Sequence, residues 1–281
     1  MINPAPGTAA WQSIQKCFTS EAAKKGVTAK IVGSSGDDFD ISQTLELIQQ
    51  AVADNVSAIA VLTSGGAATL EPAIQQARAK GIYVATMESG DATLDRNFDV
   101  GIDIPGYADK MAALIKSMPG QKNVGILSIN LTGTSKIFLD EMEKVLAADP
   151  EVKIEDTVLD NGDVTVDADQ VSGMLTAHPD INVVVTDNPG QIAGTATAIK
   201  EVGLLGKTRA IGISLDANTE SALESGAAAD IAVQRTCDVG QQAIDGFVDL
   251  SEGKAVPKNI PVTLEWATKN NWRSFDPSIW N

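Results

Sequence analysis

Residues 82–103 read IYVATMESGDATLDRNFDVGID, and they contain two short apolar runs that each lead to a carboxylate. The first run, residues 82–87, is too short for a helix and contains β-branched residues, among them Ile82 and Val84, so it predicts a buried strand. A polar tip, residues 88–91, follows it, and residues 98–103 predict a second strand that closes on Asp103. Ligands of open parallel sheets lie beyond the carboxyl ends of the strands, so this polar tip is expected to face a binding crevice.

Short apolar runs alternate with helical patterns along the rest of the chain. Residues 27–32 and 57–62 predict strands, residues 42–53 predict a helix, and a last strand is expected near residues 260–266. This alternation is typical of an α/β fold in which parallel sheets are flanked by helices. The pattern is the same before and after Asp103, so it predicts two Rossmann-like lobes.

The composition excludes several classes of protein. The 281 residues are 43% hydrophobic and 21% charged, with a net charge of −16. An acidic chain repels phosphate backbones, so nucleic-acid binding is not expected. The sequence has no apolar run of the roughly 20 residues that a membrane span needs.

The two cysteines, Cys17 and Cys237, are too few for a disulfide scaffold. They are either two buried thiols or one long-range disulfide, which would suit an exported protein. The sequence shows no signal peptide, so we expect either a cytoplasmic protein or the mature form of an exported one.

The enzyme motifs that we considered are incomplete. Residues 206–208, Gly-Lys-Thr, resemble the end of a phosphate loop, but Glu201 stands where that loop needs a glycine. His178, the only histidine, precedes a proline in a predicted loop far from the crevice, so no Ser–His–Asp triad can be assembled. Glu88 and Asp103 remain an alternative acid–base pair. We therefore expect a protein without enzymatic activity, cofactor or metal.

Polar residues follow several of the predicted strands, namely Glu88, Asn188, Ser214 and Gln234. Each can exchange hydrogen bonds with hydroxyl groups. Trp11 lies in the first loop, where its indole could stack on a ring. A few polar groups beside an aromatic wall are typical of a site for a small neutral ligand.

The order and spacing of several segments resemble the type I periplasmic solute-binding proteins, close to the ribose-binding receptors of sugar ABC transporters. The resemblance covers nearly the whole chain, and it is carried by Asn3-Pro4, Glu71-Pro72-Ala73-Ile74, Gly133-Thr134-Ser135, residues 176–180, Asn188 and residues 212–226. It implies that Glu88 takes the place of a ligand-binding Asp, Asn188 of an Asn, and Gln234 of a Gln beside the hinge. It also implies that Asn3 matches the Asn after the first strand, and that Trp11 replaces the aromatic residues of the first loop.

Three positions depart from the ribose-binding pattern. Ser89 and Phe138 stand where those receptors have Arg, and Ser214 stands where they have Asp. The charged groups that make paired hydrogen bonds to neighbouring hydroxyls are therefore absent. The resemblance thus suggests a smaller or less polar sugar, a deoxysugar or a polyol. We include these three residues and Asp103 among the expected ligand-binding residues.

The resemblance also implies how the chain is divided, with lobes formed by residues 1–103 plus 235–262 and by residues 104–234 plus 263–281. The hinge crossings are expected near Asp103, Gln234 and Pro261. The family's first strand lies before Asn3, where this sequence has only Met1 and Ile2. We therefore expect either that the sequence begins inside a longer precursor or that another segment fills that place.

The function that the resemblance implies is that of a periplasmic or other extracytoplasmic receptor for a small sugar or polyol. Its two lobes would close around the ligand and deliver it to an ABC transporter permease, which would be its only link to a membrane. One alternative is the effector-binding core of a LacI-type transcription regulator. Another is an enzyme such as a glycosidase or a sugar isomerase.

Overall fold

The computed structural model describes residues 1–33, 40–63, 66–89, 93–214 and 217–276. Part of the predicted polar tip, residues 90 and 91, lies outside these ranges. The chain divides into two compact units, Met1–Asp103 with Arg235–Thr263 and Ile104–Gln234 with Leu264–Asn281. That these two units move as separate lobes remains a prediction.

The elements alternate as the sequence predicts. Those up to Asp103 are β1 (Ile2–Asn3), α1 (Ala9–Lys24), β2 (Val32–Gly33), α2 (Ile41–Ala53), β3 (Ala58–Val61), α3 (Ala67–Ala79), β4 (Tyr83–Met87) and β5 (Phe98–Gly101). Those that follow are α4 (Ile104–Lys116), β6 (Lys122–Ser128), α5 (Gly133–Leu146), β7 (Val152–Leu159), α6 (Asp167–Ala177), β8 (Val183–Thr186), α7 (Gln191–Glu201), β9 (Arg209–Ile213), α8 (Ala217–Ser225), β10 (Ala228–Gln234), α9 (Thr236–Ser251), β11 (Asn259–Pro261) and β12 (Leu264–Thr268). Within the described ranges, every helix is too short or too polar to cross a lipid bilayer.

The main sheet of the first unit has the strand order β11-β5-β4-β3, and its strands are all parallel. β4 is an inner strand, and its residues Val84, Ala85 and Met87 are buried. A strand that helices cover on both faces needs a continuous apolar run, which explains the composition of residues 82–87. The predicted parallel α/β fold is confirmed.

The prediction of a strand at residues 27–32 is wrong over most of that range. Only Val32 belongs to a strand, β2, which pairs in parallel with β1 as a separate two-stranded sheet. Apart from Lys30, residues 27–31 have β-branched or apolar side chains. Strand structure also requires a hydrogen-bonded neighbour, which the sequence pattern does not report.

The sheet of the second unit has the order β12-β10-β9-β8-β6-β7. All its pairs are parallel except the antiparallel pair of β12 with β10. The single strand predicted near residues 260–266 is in fact two strands, β11 in the first unit and β12 in the second. Residues 262–263 separate them.

A disulfide joins Cys17 on α1 to Cys237 on α9, with 5.3 Å between their Cα atoms. The two helices pack closely, because a Cβ at Gly240 of α9 would lie 2.2 Å from the Ile14 carbonyl oxygen on α1. Of the two alternatives for the cysteines, the structure has the long-range bond, and it lies entirely within the first unit.

Candidate functional site

In the first unit, Glu88 occupies the carboxyl end of β4. Its backbone is left-handed, with φ of 54°, and its N–H donates to the Val100 carbonyl oxygen at 2.9 Å. A Cβ at Gly101 would lie only 3.0 Å from the Glu88 Cα, so the glycine permits this close approach. The arrangement places a partly buried carboxylate at the end of the sheet where α/β proteins bind ligands.

Ser89 and Asn3 have partners within the same unit. The Ser89 hydroxyl accepts from the Thr63 N–H at 2.9 Å and donates to the Met87 carbonyl oxygen at 3.1 Å. The Asn3 amide donates to Gln15 Oε1 at 2.8 Å and accepts from the Ala5 N–H. Both side chains therefore hold neighbouring loops in place, and their role toward a ligand stays a prediction.

Trp11 and Asp103 differ in burial. Trp11 is in the first turn of α1, and its partly buried ring packs against the apolar core of the first unit. Asp103 is exposed and ends the first segment of that unit. Their ligand-binding roles also stay predictions.

In the second unit, Asn188 lies just beyond β8. Its N–H and that of Asp187 both donate to Gln191 Oε1, at 3.0 and 3.1 Å. Gln191 is fully buried and donates in turn to Asp160 Oδ2 at 2.8 Å. The backbone at Asn188 is thus fixed, while its partly buried side-chain amide makes no hydrogen bond to any residue in the described ranges.

The carboxylate of Asp187 is the next polar group at this edge. It accepts from the Ser128 hydroxyl at 2.5 Å and from the Ile129 N–H at 3.3 Å. Burial raises the pKa of Asp187, although these bonds and one from Ser135 act in the opposite direction. Asp187 therefore binds the ends of β6 and β8 together.

An aromatic cluster lies in the same unit. The Tyr107 ring is 5.9 Å from the Trp266 ring, with 20° between the planes, and 5.5 Å from the Phe138 ring. Burial raises the pKa of the Tyr107 hydroxyl, and the charge of Asp187 raises it further. Phe138, predicted as a ligand residue, is buried in this cluster, and its contact with a ligand stays a prediction.

In this sheet, Ser214 follows β9 directly and Gln234 is the last residue of β10. Ser214 has a left-handed backbone, with φ of 85°, and its N–H donates to the Ala232 carbonyl oxygen at 2.9 Å. Gln234 is buried and pairs with Leu264 at the end of β10. A left-handed serine is uncommon and is often found at functional sites, which supports the prediction for Ser214 without testing it.

Four residues described above in the second unit were not predicted from the sequence, namely Tyr107, Asp187, Gln191 and Trp266. Asp187 and Gln191 could have been noticed, because they flank Asn188 at the start of a helix. The aromatic pair could not, since Tyr107 and Trp266 meet only through the pairing of β12 with β10.

A fully buried carboxyl group, Asp167, lies behind this edge. Burial, with smaller contributions from Asp160 and Asp163, raises its pKa to about 7. Because the folded state holds this proton more tightly than the unfolded state, the stabilisation is complete below about pH 4 and is lost as the pH rises toward 7.

We therefore expect the free energy of unfolding to fall when the pH is raised from 5 to 8. The fall should be larger for the wild-type protein than for the Asp167→Asn variant. The difference should be at least about 1.4 kcal/mol, the equivalent of one pKa unit. Urea unfolding at the two pH values measures it, with the exposed Asp169→Asn as the control. Identical pH dependence in wild type and Asp167→Asn would contradict the assignment.

Comparison with known proteins identifies the family. A protein-family model described as the periplasmic binding protein domain matches residues 1–255. The glucose-galactose binding protein GanP of Geobacillus stearothermophilus is 21% identical with a TM-score of 0.88, and the match covers 96% of each chain. An ABC transporter solute-binding protein of Burkholderia graminis, solved with D-arabinose, is 23% identical with a TM-score of 0.86, over 98% of this chain and 96% of that one.

Similarity to curated sequences is more local. The D-ribose/D-allose-binding protein of Pseudomonas aeruginosa is 22% identical over 188 residues, which are 63% of this chain and 57% of that protein. A Rhizobium meliloti protein with the provisional name rhizopine-binding protein is 32% identical over 114 residues, 40% of this chain and 36% of that protein. This chain therefore matches less than two thirds of the length of either relative. The family model nevertheless covers most of the chain, and the chain belongs to the periplasmic binding protein family.

Proposed function

We propose that the protein is an extracytoplasmic receptor that binds a small sugar or polyol and delivers it to an ABC transporter. In this proposal the ligand contacts residues of both lobes and favours their closed arrangement. A ligand shifts such an equilibrium only by its difference in affinity for the two states. The closed receptor would then dock on a permease.

The observation that carries the proposal is the hydrogen bonding of Asn188. Its backbone is held by a buried glutamine, and its amide makes no hydrogen bond to the described part of the chain. Because the described part of the chain does not use this amide, ligand hydroxyl groups could satisfy both its donor and its acceptor. Glu88 offers an acceptor at the corresponding edge of the other unit.

The relatives support the ligand class. Among the solved relatives are a glucose-galactose binding protein and an ABC transporter solute-binding protein in complex with D-arabinose, and the Pseudomonas relative is named for ribose and allose. Ser89, Phe138 and Ser214 provide no guanidinium or carboxylate, which favours a smaller or less polar sugar, a deoxysugar or a polyol. The family match does not favour the LacI-type alternative or an enzyme.

Thermal unfolding in the presence of candidate ligands tests the proposal. The panel contains pentoses, hexoses, 6-deoxyhexoses and polyols, with amino acids as the control class. A ligand at 1 mM with micromolar affinity would stabilise the fold by about 4 kcal/mol. Stabilisation by one sugar or polyol, or by a few related ones, is expected. Stabilisation by amino acids alone, or by no compound when circular dichroism shows a folded protein, would contradict the proposal.

The role of Asn188 is tested separately with the ligand found in that panel. Asn188→Ala removes hydrogen bonds worth about 0.5–1.5 kcal/mol each, so affinity should fall by about 3- to 10-fold or more. Titration calorimetry measures the dissociation constant, with the exposed Asn270→Ala in the same unit as the control. Equal affinity of Asn188→Ala and wild type would remove Asn188 from the site.

A further inference from the structure

A series of hydrogen bonds connects Asn188 to the interior of the second unit. Gln191 Oε1 accepts the N–H groups of Asp187 and Asn188. Gln191 Nε2 donates to Asp160 Oδ2 at 2.8 Å. Asp160 is buried, and its other oxygen, Oδ1, accepts from the Gly162 N–H at 2.7 Å. The position of the Asn188 backbone therefore depends on where the Asp160 carboxylate lies.

A second carboxyl group, Asp167, lies at the buried end of this series. Asp167 is fully buried, and no N–H or hydroxyl group in the described part of the chain donates to either of its oxygens. It forms a hydrogen bond with the Asp160 carboxyl group instead. Two carboxyl groups can form such a bond only when one of them is protonated, so the pair holds one proton.

The charges that act on Asp167 are negative. Asp160, beyond β7, and Asp163, in the loop before α6, both oppose its ionisation. On α6 itself, Asp169 is exposed, and Asp187 lies beyond β8. The other charged residues of β6, β7 and α7, which pack against α6, lie at the start or middle of the strands or in the last turn of the helix, namely Lys122, Lys153, Glu155, Asp156, Lys200 and Glu201. Ionisation of Asp167 would therefore place a second negative charge beside Asp160.

Asp167 has little space to move away from Asp160, because α7 lies against it. A Cβ at Gly194 of α7 would lie 2.3 Å from the Asp167 Cβ. Protein interiors are closely packed, so repulsion between the two carboxylates would displace Asp160 more readily than Asp167. Displacement of Asp160 would also displace the Gln191 side chain that holds the Asn188 backbone.

We propose that the Asp160–Asp167 pair acts through Gln191 to position Asn188 for ligand binding, and that loss of the shared proton weakens binding. The role in binding rests on the function proposed above. Burial, with smaller contributions from Asp160 and Asp163, raises the pKa of Asp167 to about 7. The shared proton is therefore present below about pH 6 and lost above about pH 8, so affinity should fall as the pH rises through 7. By linkage, a bound sugar or polyol should raise the pKa of Asp167.

NMR of the protein without ligand tests the network itself. The ¹³C resonance of the Asp167 carboxyl group should titrate near pH 7, and the backbone amide resonance of Asn188 should shift with the same midpoint. In Asp167→Asn the Asn188 amide should not shift in this range, because Asn keeps a donor for Asp160 at every pH. The control is the Asn123 amide, which donates to Asn182 Oδ1 at 3.0 Å in the same unit and should not shift. An Asp167 midpoint near 4, or an Asn188 amide that does not follow the titration, would overturn the proposal.

Titration calorimetry at pH 5 and pH 8 tests the effect on binding. The probe is the sugar or polyol that stabilises the fold most in the thermal panel. The affinity of the wild type should fall by about 2- to 10-fold between the two pH values, the effect of one hydrogen bond. Asp167→Asn should bind equally well at both, and the exposed Asp169→Asn should behave as the wild type. A purely structural role of Asp167 would change stability without changing the dissociation constant of the folded protein.

The two proposals fail in different ways. A wild-type dissociation constant that is independent of pH, or an equal pH dependence in Asp167→Asn, would overturn the role of the pair and leave the receptor function in place. A panel in which no compound binds would count against the receptor function, and the Asn188 amide titration would still decide whether the pair positions Asn188.

Discussion

Replacement of both disulfide cysteines, Cys17→Ala with Cys237→Ala, is expected to lower the free energy of unfolding by about 2–5 kcal/mol. The bond connects residues separated by 220 positions, so it restricts most of the unfolded chain. In the chain-entropy model a loop of this length corresponds to about 5 kcal/mol, and measured values are often lower. The bond also fixes α1 against α9, which together supply much of one core cluster of the first unit.

Urea unfolding of wild type and of the double variant measures this loss, each with and without a reducing agent. The reducing agent should destabilise the wild type and leave the double variant unchanged, because Cys17 and Cys237 are the only cysteines in the sequence. Ala is preferred to Ser at these buried positions because it adds no hydroxyl group that needs a partner. Identical midpoints for oxidised and reduced wild type would contradict a stabilising role for the bond.

Replacement of Glu88 by Ala should weaken ligand binding by about 10- to 150-fold. A hydrogen bond to a charged group contributes about 1.5–3 kcal/mol, and each 1.4 kcal/mol is a factor of ten in the dissociation constant. The left-handed backbone and the contact with Gly101 direct the Glu88 carboxylate to the end of β4. Glu88→Gln keeps the size of the side chain and removes the charge, so its affinity should lie between those of wild type and Glu88→Ala.

Titration calorimetry with the ligand identified by thermal unfolding gives these constants. Glu46→Ala, which removes an exposed carboxylate from α2 in the same unit, is the matched control for the change in net charge. Melting temperatures without ligand show whether Glu88→Ala is folded. A folded Glu88→Ala protein that binds as tightly as Glu46→Ala would exclude Glu88 from the site and leave the rest of the proposed function to be tested through Asn188.

The parts of the fold that the sequence predicts well are those that depend on local pattern. The apolar run of β4 and the polar residues after β4 and β8 follow from burial on two faces and from the direction of parallel strands. The sequence leaves the cysteine pairing open, because the pairing depends on how closely α1 approaches α9. The strand predicted at residues 27–32 failed for a similar reason, since its pattern is suitable but its neighbouring strand is not determined locally.

The same distinction applies to the candidate site. Asn188 and Ser214 were expected near a site because they lie within two residues of the ends of β8 and β9, and their contact with a ligand stays a prediction. Gln191 acts through a bond to Asp160, 31 residues earlier in the chain, and no spacing rule connects the two. Trp266 lies beside Tyr107 because a strand from the end of the chain returns to β10. Contacts of this kind are set by tertiary packing, which one sequence does not report.

The left-handed backbones of Glu88 and Ser214 limit which side chains can replace these two residues. Gly, Asn and Asp tolerate that conformation, whereas Val, Ile and Thr clash with their own backbone. A library that randomises both positions would therefore yield few folded members with β-branched residues. In the proposed receptor, we expect changes in selectivity more readily at Asn188, whose backbone is not left-handed.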